Sequence, residues 1–312
     1  MARTLVVRDA ERSSPTRTWP RSRPTPNVQR PGPRLSVVLT EGQPMDSREL
    51  TRRIIDVDYS VQLEVMTAGT KATPALVPLL HHEDEDVRTL TAHCLAFTGG
   101  PLAAQSLAGA IADPSLNVAG AALASLEKFS LGAMPEIGEH LLGYLRRPLE
   151  PVLRQRIPIV LLQGGSVPAM ETLRSLSAQE QDARVREGLI VLLAKLGAPE
   201  AREEVIDKLM QAAGGNVRRW AEYINHLQGR WLVRPLVSWL EKEFPAVRVG
   251  VDGVQHIPEY LRACDIAVNW LFSYTGVRLS FIQGPLMLYT SEQRAEVRDQ
   301  VNAWLSLQEP KP

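Results

Sequence analysis

The chain is poor in the features that would mark an enzyme, a secreted domain or a membrane protein. It has two cysteines, Cys94 and Cys264, in 312 residues, too few for a disulfide framework. Both fall in helical, apolar contexts, where a free thiol behaves as a small inert hydrophobe. A reduced, cytoplasmic setting is the expectation. No apolar run approaches the ~20 residues that a membrane span requires, so no membrane association is expected. The start, MARTLVVRDAERSS, lacks the sustained apolar segment of a secretory signal. Net charge is missing too, with 35 basic against 35 acidic side chains. Residues 1–45 hold eight Arg against Asp9, Glu11 and Glu41, so the other 267 residues are net negative by about five. That balance argues against nucleic acid as partner, because a nucleic-acid footprint is basic over the folded part. No G-x-S-x-G, phosphate-cradling loop or dinucleotide fingerprint occurs. The glycine pairs at Gly99, Gly164 and Gly214 lack the preceding strand that such loops need. No cofactor is therefore expected.

What is present is repetition. Residues 1–45, with seven prolines and no periodic apolar face, are expected to be a disordered basic tail, and Met45 is an alternative start. From Asp46 onward the pattern is helical. The clearest unit, Asp84 to Asp113, has a helix, a Gly-Gly stop, a proline restart and a second amphipathic helix; Asp182 to Gln211 is a second copy. A Val-like residue with a small residue twelve positions later recurs as Val57–Gly69, Val87–Gly99, Val118–Ser130, Val152–Gly164, Val185–Gly197, Val217–Gly229 and Cys264–Gly276. Twelve residues is about three and a third helical turns, which places the glycine at a helix end. Pro74, Pro101, Pro135, Pro168 and Pro199 follow the stops as first helical residues. Short antiparallel helix pairs cannot bury their apolar faces alone, and stacking supplies a continuous core. The fold class expected is all-α, an α-solenoid of helical-hairpin repeats over 46–308. Within it, 46–69 reads as an N-terminal cap and 70–276 as repeats, with a loop or short hairpin inserted at 244–258. Residues 277–308 read as a C-terminal cap, whose helix opens on a Thr290–Gln293 capping box.

DEDVRTLTAHCLAFTGGPLAAQSLAGAI resembles the HEAT-like repeats of phycobilisome-lyase-type proteins and of many bacterial HEAT-repeat proteins. The pattern D-x-x-V-R, an Ala-rich middle, L-G, a restart and A-x-x-x-L is met by Asp84, Val87, Arg88, Ala92, Gly99 and Ala103. It is met again by Asp182, Val185, Arg186, Gly197 and Ala201. The resemblance covers about 46–276 and implies that Asp84, Arg88, Asp182 and Arg186 form a structural ladder between neighbouring repeats. It fixes fold rather than activity, since the fold serves scaffolds, lyases and a DNA glycosylase branch.

Chemistry-bearing clusters are few. His81, His82, Glu83, Asp84, Glu85 and Asp86, with His93 beyond, fit no zinc spacing and read as a solvated turn whose acids favour the next helix N-terminus; no metal is expected. The second helices carry a row of arginines. Arg218 and Arg219 lack an acid three residues before Val217, so with Arg154, Trp220 and Tyr223 they form the candidate binding set. Arginine beside aromatics is a common recognition composition. The reading that follows is a non-enzymatic scaffold binding another protein through the concave face. A lyase or chaperone-like factor for a modified protein or tetrapyrrole is the alternative implied by the resemblance, with a glycosylase-like role behind it.

Overall fold

The computed structural model describes residues 46–249 and 258–308. The basic tail 1–45, the segment 250–257 of the insertion and the end 309–312 lie outside the described residues. The described chain is built almost wholly of helices. It opens with α1 (Ser47–Ile55), α2 (Gln62–Ala68) and the short α3 (Thr73–Leu76). Regular pairs follow: α4 (Glu85–Thr98) with α5 (Pro101–Ala110), α6 (Leu116–Leu126) with α7 (Pro135–Tyr144), and α8 (Pro151–Gln163) with α9 (Met170–Gln179). Then come α10 (Ala183–Lys195) with α11 (Pro199–Gln211), and α12 (Gly215–Ile224) with α13 (Val233–Trp239). α14 (Ala263–Thr275) and α15 (Ser291–Gln308) close the array. The protein is an all-α solenoid of HEAT-like hairpins.

Local chemistry starts and stops these helices. Asp84, Ser115 and Asp182 accept backbone N–H groups of the first turns of α4, α6 and α10, satisfying donors that a helix leaves unpaired. Fifteen residues past the start positions Asp84, Glu150, Asp182 and Gly214 stand Gly99, Gly165, Gly197 and Gly229, with φ of +70°, +68°, +100° and +127°; the first three follow helix ends closely, whereas α12 already ends at Ile224 and Gly229 opens the next short turn. Only glycine adopts such angles without strain. This register corrects the fourth unit by one residue. Leu153, not Val152, is the anchor: Leu153 is buried, whereas Val152 is 59% exposed. Two other expectations fail. Val57 lies in the turn after α1 at φ +55° rather than in a helix, and Pro168 precedes α9 instead of opening it.

The anchors Val87, Val118, Leu153, Val185 and Val217 are all buried. They are the seam along which the even-numbered helices stack, α4 on α6, α6 on α8 and α8 on α10. Glu127, just past α6, and Glu222, on α12, both belong to this row, and the Glu127 charge acts on Glu222.

At the insertion, β1 (Pro245–Arg248) pairs with β2 (Tyr260–Arg262), antiparallel with an irregularity between Pro245 and Val247. The closing helix α15 begins with Thr290 and Gln293 exchanging hydrogen bonds at 2.9 and 3.3 Å. Its Arg294 reaches inward, donating to the Leu240 carbonyl at 3.2 Å and pairing with Glu243. Asp265, fully buried, accepts from the Arg262 backbone and guanidinium and from the Tyr289 N–H. It fastens the loop before α15 to α14.

Candidate interaction surface

The arginine ladder exists, but not with the partners expected. Arg88 is the fourth residue of α4. Its Nε and Nη2 donate to Asp113 at 2.8 and 3.1 Å, and its Nη1 donates to the carbonyls of His82 and Glu83 at 2.9 Å each. Asp113 belongs to the next repeat, two residues ahead of the α6 cap, and also accepts the Ser115 N–H at 2.8 Å. Asp84 instead caps its own helix, which is what a short carboxylate just before a first turn does best.

Arg154 repeats the arrangement two repeats on. It is the fourth residue of α8. Its Nη2 meets Glu180 at 2.5 Å, and Nη1 takes the carbonyls of Leu145 and Arg147 at 2.9 and 3.2 Å. Glu180 stands two residues ahead of the Asp182 cap and accepts the Asp182 N–H at 2.9 Å. Each rung thus ties one repeat's turn carbonyls, through a guanidinium, to an acid on the next. Arg154 is consequently a strut and not a free binding residue.

The next two positions in the series are Arg186 on α10 and Arg218 on α12. Both are exposed, and neither takes part in any hydrogen bond or ion pair of the described residues. Asp182 does not pair with Arg186; it caps α10 and accepts from Gln155 Nε2 at 2.8 Å. Where Asp113 and Glu180 stand two residues ahead of their caps, the following unit has Ala212, with Gly214 as cap. For Arg218, the carbonyl seats are also taken. Lys242 Nζ donates to Leu209, Met210 and Ala212 at 3.1, 3.0 and 2.6 Å.

The remaining candidates are displaced from the surface. Trp220 and Tyr223 are each 2% exposed, edge to face with ring centroids 5.5 Å apart. They form no binding platform, because α12 needs them as core where it meets α10. Tyr223 lies over Gly188, at which an added Cβ would stand 2.5 Å from the Pro158 ring and 3.4 Å from the Tyr223 hydroxyl. Arg219 reaches along the even-numbered helices and meets Glu187 of α10 at 2.8 Å. Glu187 Oε2 and Arg219 Nε make no hydrogen bond, so this pair is held by charge and is off line.

Residues the sequence reading passed over complete that row. Arg156 Nε donates to Glu127 at 2.7 Å. Glu222 touches solvent, but crowding by protein, and after it the Glu127 charge, push its pKa up; Arg156 and Arg218 act the other way. The even-numbered helices therefore carry a polar row from α6 to α12, in which Glu127 pairs with Arg156 and Glu222 makes no ion pair among the described residues. The thiols contribute nothing reactive: burial pushes Cys94 up to about 12 and raises Cys264 as well. Among the described residues no cluster of His, Cys, Asp or Glu is arranged to hold a metal. No helix among them is long and apolar enough to cross a membrane.

With this geometry in view, residues 62–127 match the family model for HEAT repeats. The matched stretch runs from α2 to just past α6, and the helical hairpins that follow it are built in the same way. No curated protein matches the chain. Among solved structures it is similar to a chain of the complex of CpcE and CpcF of phycocyanin lyase from Nostoc sp. PCC7120. The identity is 14% and the TM-score 0.47, with 85% of this chain and 97% of that chain covered.

Proposed function

We propose that the protein is a recognition solenoid that binds another protein through its concave face. The observation that supports this reading is the row Glu127, Arg156, Glu187, Arg219 and Glu222, displayed on successive even-numbered helices. Glu222 makes no ion pair among the described residues, and a basic side chain of a partner would meet its charge. Concave solenoid faces bind in this extended way because each repeat adds one more row of contacts. The test is affinity capture from the source organism with the wild type and with Glu222→Arg. Partners lost by the variant, with its helical circular dichroism and cooperative unfolding retained, support the reading. An unchanged set of partners places recognition off this face.

A further inference from the structure

We propose that the two unfilled rungs, Arg186 and Arg218, receive carboxylates from an acidic segment of a partner protein. The proposal rests on the reading of the chain as a recognition solenoid and names the chemistry of one contact. The molecule itself shows what this position binds. At two of the four arginine rungs the guanidinium holds an Asp or Glu side chain of the next repeat, Asp113 or Glu180. At the other two the arginine is present and the acid is not.

Why the acid is missing can be read from the chain. Ala212 occupies the Glu180 place with the same backbone, φ −58° and ψ 124° against −72° and 127°. Tyr260 stands two residues ahead of the Arg262 start of α14, the corresponding place for Arg218, and is 40% exposed. The nearby acids are otherwise engaged. Glu187 pairs with Arg219, Asp182 caps α10, and Glu241 and Glu243 pair with Arg298 and Arg294 of α15. Glu222 exerts a field on Arg218 from one turn away but does not reach it as an ion pair.

The two rungs are neighbours. The residue beside each, Glu187 and Arg219, meets the other at 2.8 Å across the α10–α12 seam. Packed helices lie about 8–10 Å apart. An extended chain rises about 3.3 Å per residue, so acids three residues apart reach about 10 Å, the scale of one helix-to-helix step. Carboxylate is favoured over nucleic-acid phosphate for two reasons. The rungs already filled take carboxylates, and the chain beyond residue 45 is net negative, which repels a polyanion.

The experiment uses the full chain and a synthetic acetylated peptide, GSEAAESG, with its Glu-to-Gln counterpart and a short DNA duplex as controls. Binding is read from the Arg Nε–Hε NMR resonances and from fluorescence anisotropy at low salt. The expected result is that the acidic peptide moves the Arg186 and Arg218 signals and the Gln peptide does not. Affinity should fall at least five-fold in Arg186→Gln with Arg218→Gln, and also in Ala212→Glu, which supplies the Arg186 rung in cis. Ala212→Glu should also bring the free-protein Arg186 signal toward those of Arg88 and Arg154. Absence of peptide binding at millimolar concentration, binding indifferent to these substitutions, or tighter arginine-dependent binding of the duplex would each overturn the proposal. If Ala212→Glu fails to fold, the double glutamine variant decides alone. Should captured partners depend on Glu222 but not on the two arginines, the recognition reading survives and this contact does not.

Discussion

Arg88 and Arg186 occupy the same helical position in two repeats, so replacing each by alanine isolates what the rung contributes. Arg88→Ala removes two charge-assisted bonds to Asp113 and two to turn carbonyls. It also strands Asp113, whose side chain is 10% exposed, with only the Ser115 N–H as partner. Breaking a buried pair this way costs roughly 3–5 kcal/mol. The pair here is not fully enclosed, Arg88 being 13% exposed, so about 2–4 kcal/mol is the figure to expect. Arg186→Ala removes no such contact and should stay within about 0.5 kcal/mol. Urea unfolding followed by far-UV circular dichroism measures both, and the slope m checks whether the array still unfolds as one unit. Adding Asp113→Ala to Arg88→Ala should recover part of the loss, with a coupling of about 1–3 kcal/mol. Equal losses for the two arginines, or zero coupling between Arg88 and Asp113, would refute the ladder as described.

Three further outcomes are expected. Gly188→Ala drives a methyl group against the Pro158 ring, and overpacking should cost about 1–3 kcal/mol, read as a lower melting temperature. Arg219→Glu sets a second carboxylate against Glu187 and should destabilise clearly, whereas Arg218→Glu adds only an i, i+4 repulsion with Glu222 of about 0.5 kcal/mol; thermal melts of both separate the strut from the free residue. Glu222→Gln should raise stability at neutral pH. The folded-state pKa of Glu222 lies above its ordinary value, so its ionisation disfavours the fold; that cost is absent below the unfolded pKa and full above the folded one. The gain over wild type should therefore shrink as the pH is lowered through the carboxylate range, in melts recorded across pH.

The helices were legible from the sequence because their signals are local. Caps such as Asp84 and Asp182, stops such as Gly99 and Gly197 and the buried valine anchors act within one turn of where they stand. The fourth unit slipped because its true stop, Gly165, follows another glycine, and because Val152 imitates the anchor that Leu153 provides. The site was less legible, for contacts between repeats are made by residues far apart in the chain. Arg88 meets Asp113 across 25 residues, and Arg154 meets Glu180 across 26. One signal could have found both acids: each stands two residues ahead of a helix cap. Trp220 and Tyr223 were misplaced for the opposite reason. Composition suggested recognition, while their positions on α12, three apart and facing α10, made them core.

The pattern of filled and unfilled rungs also divides the array mechanically. In a solenoid, stability is a sum of repeat terms and nearest-neighbour seams. The seam between α4 and α6 is closed by Arg88 and Asp113, and that between α8 and α10 by Arg154 and Glu180. The C-terminal end is fastened by α15, through Arg294 to Leu240 and Glu243 and through Arg298 to Glu241. Between these lies the α10–α12 seam. Its even-numbered helices are joined by the off-line Glu187–Arg219 pair and by the contact of Tyr223 with Gly188, and its odd-numbered side by Lys242 reaching back to α11. This seam has no rung because Ala212 cannot supply a carboxylate. A carboxylate brought by a partner would do there what Asp113 and Glu180 do elsewhere, joining α10 to whatever lies beside α12. The α10–α12 seam, where the chain supplies no carboxylate of its own, is therefore one that a partner's carboxylate would complete.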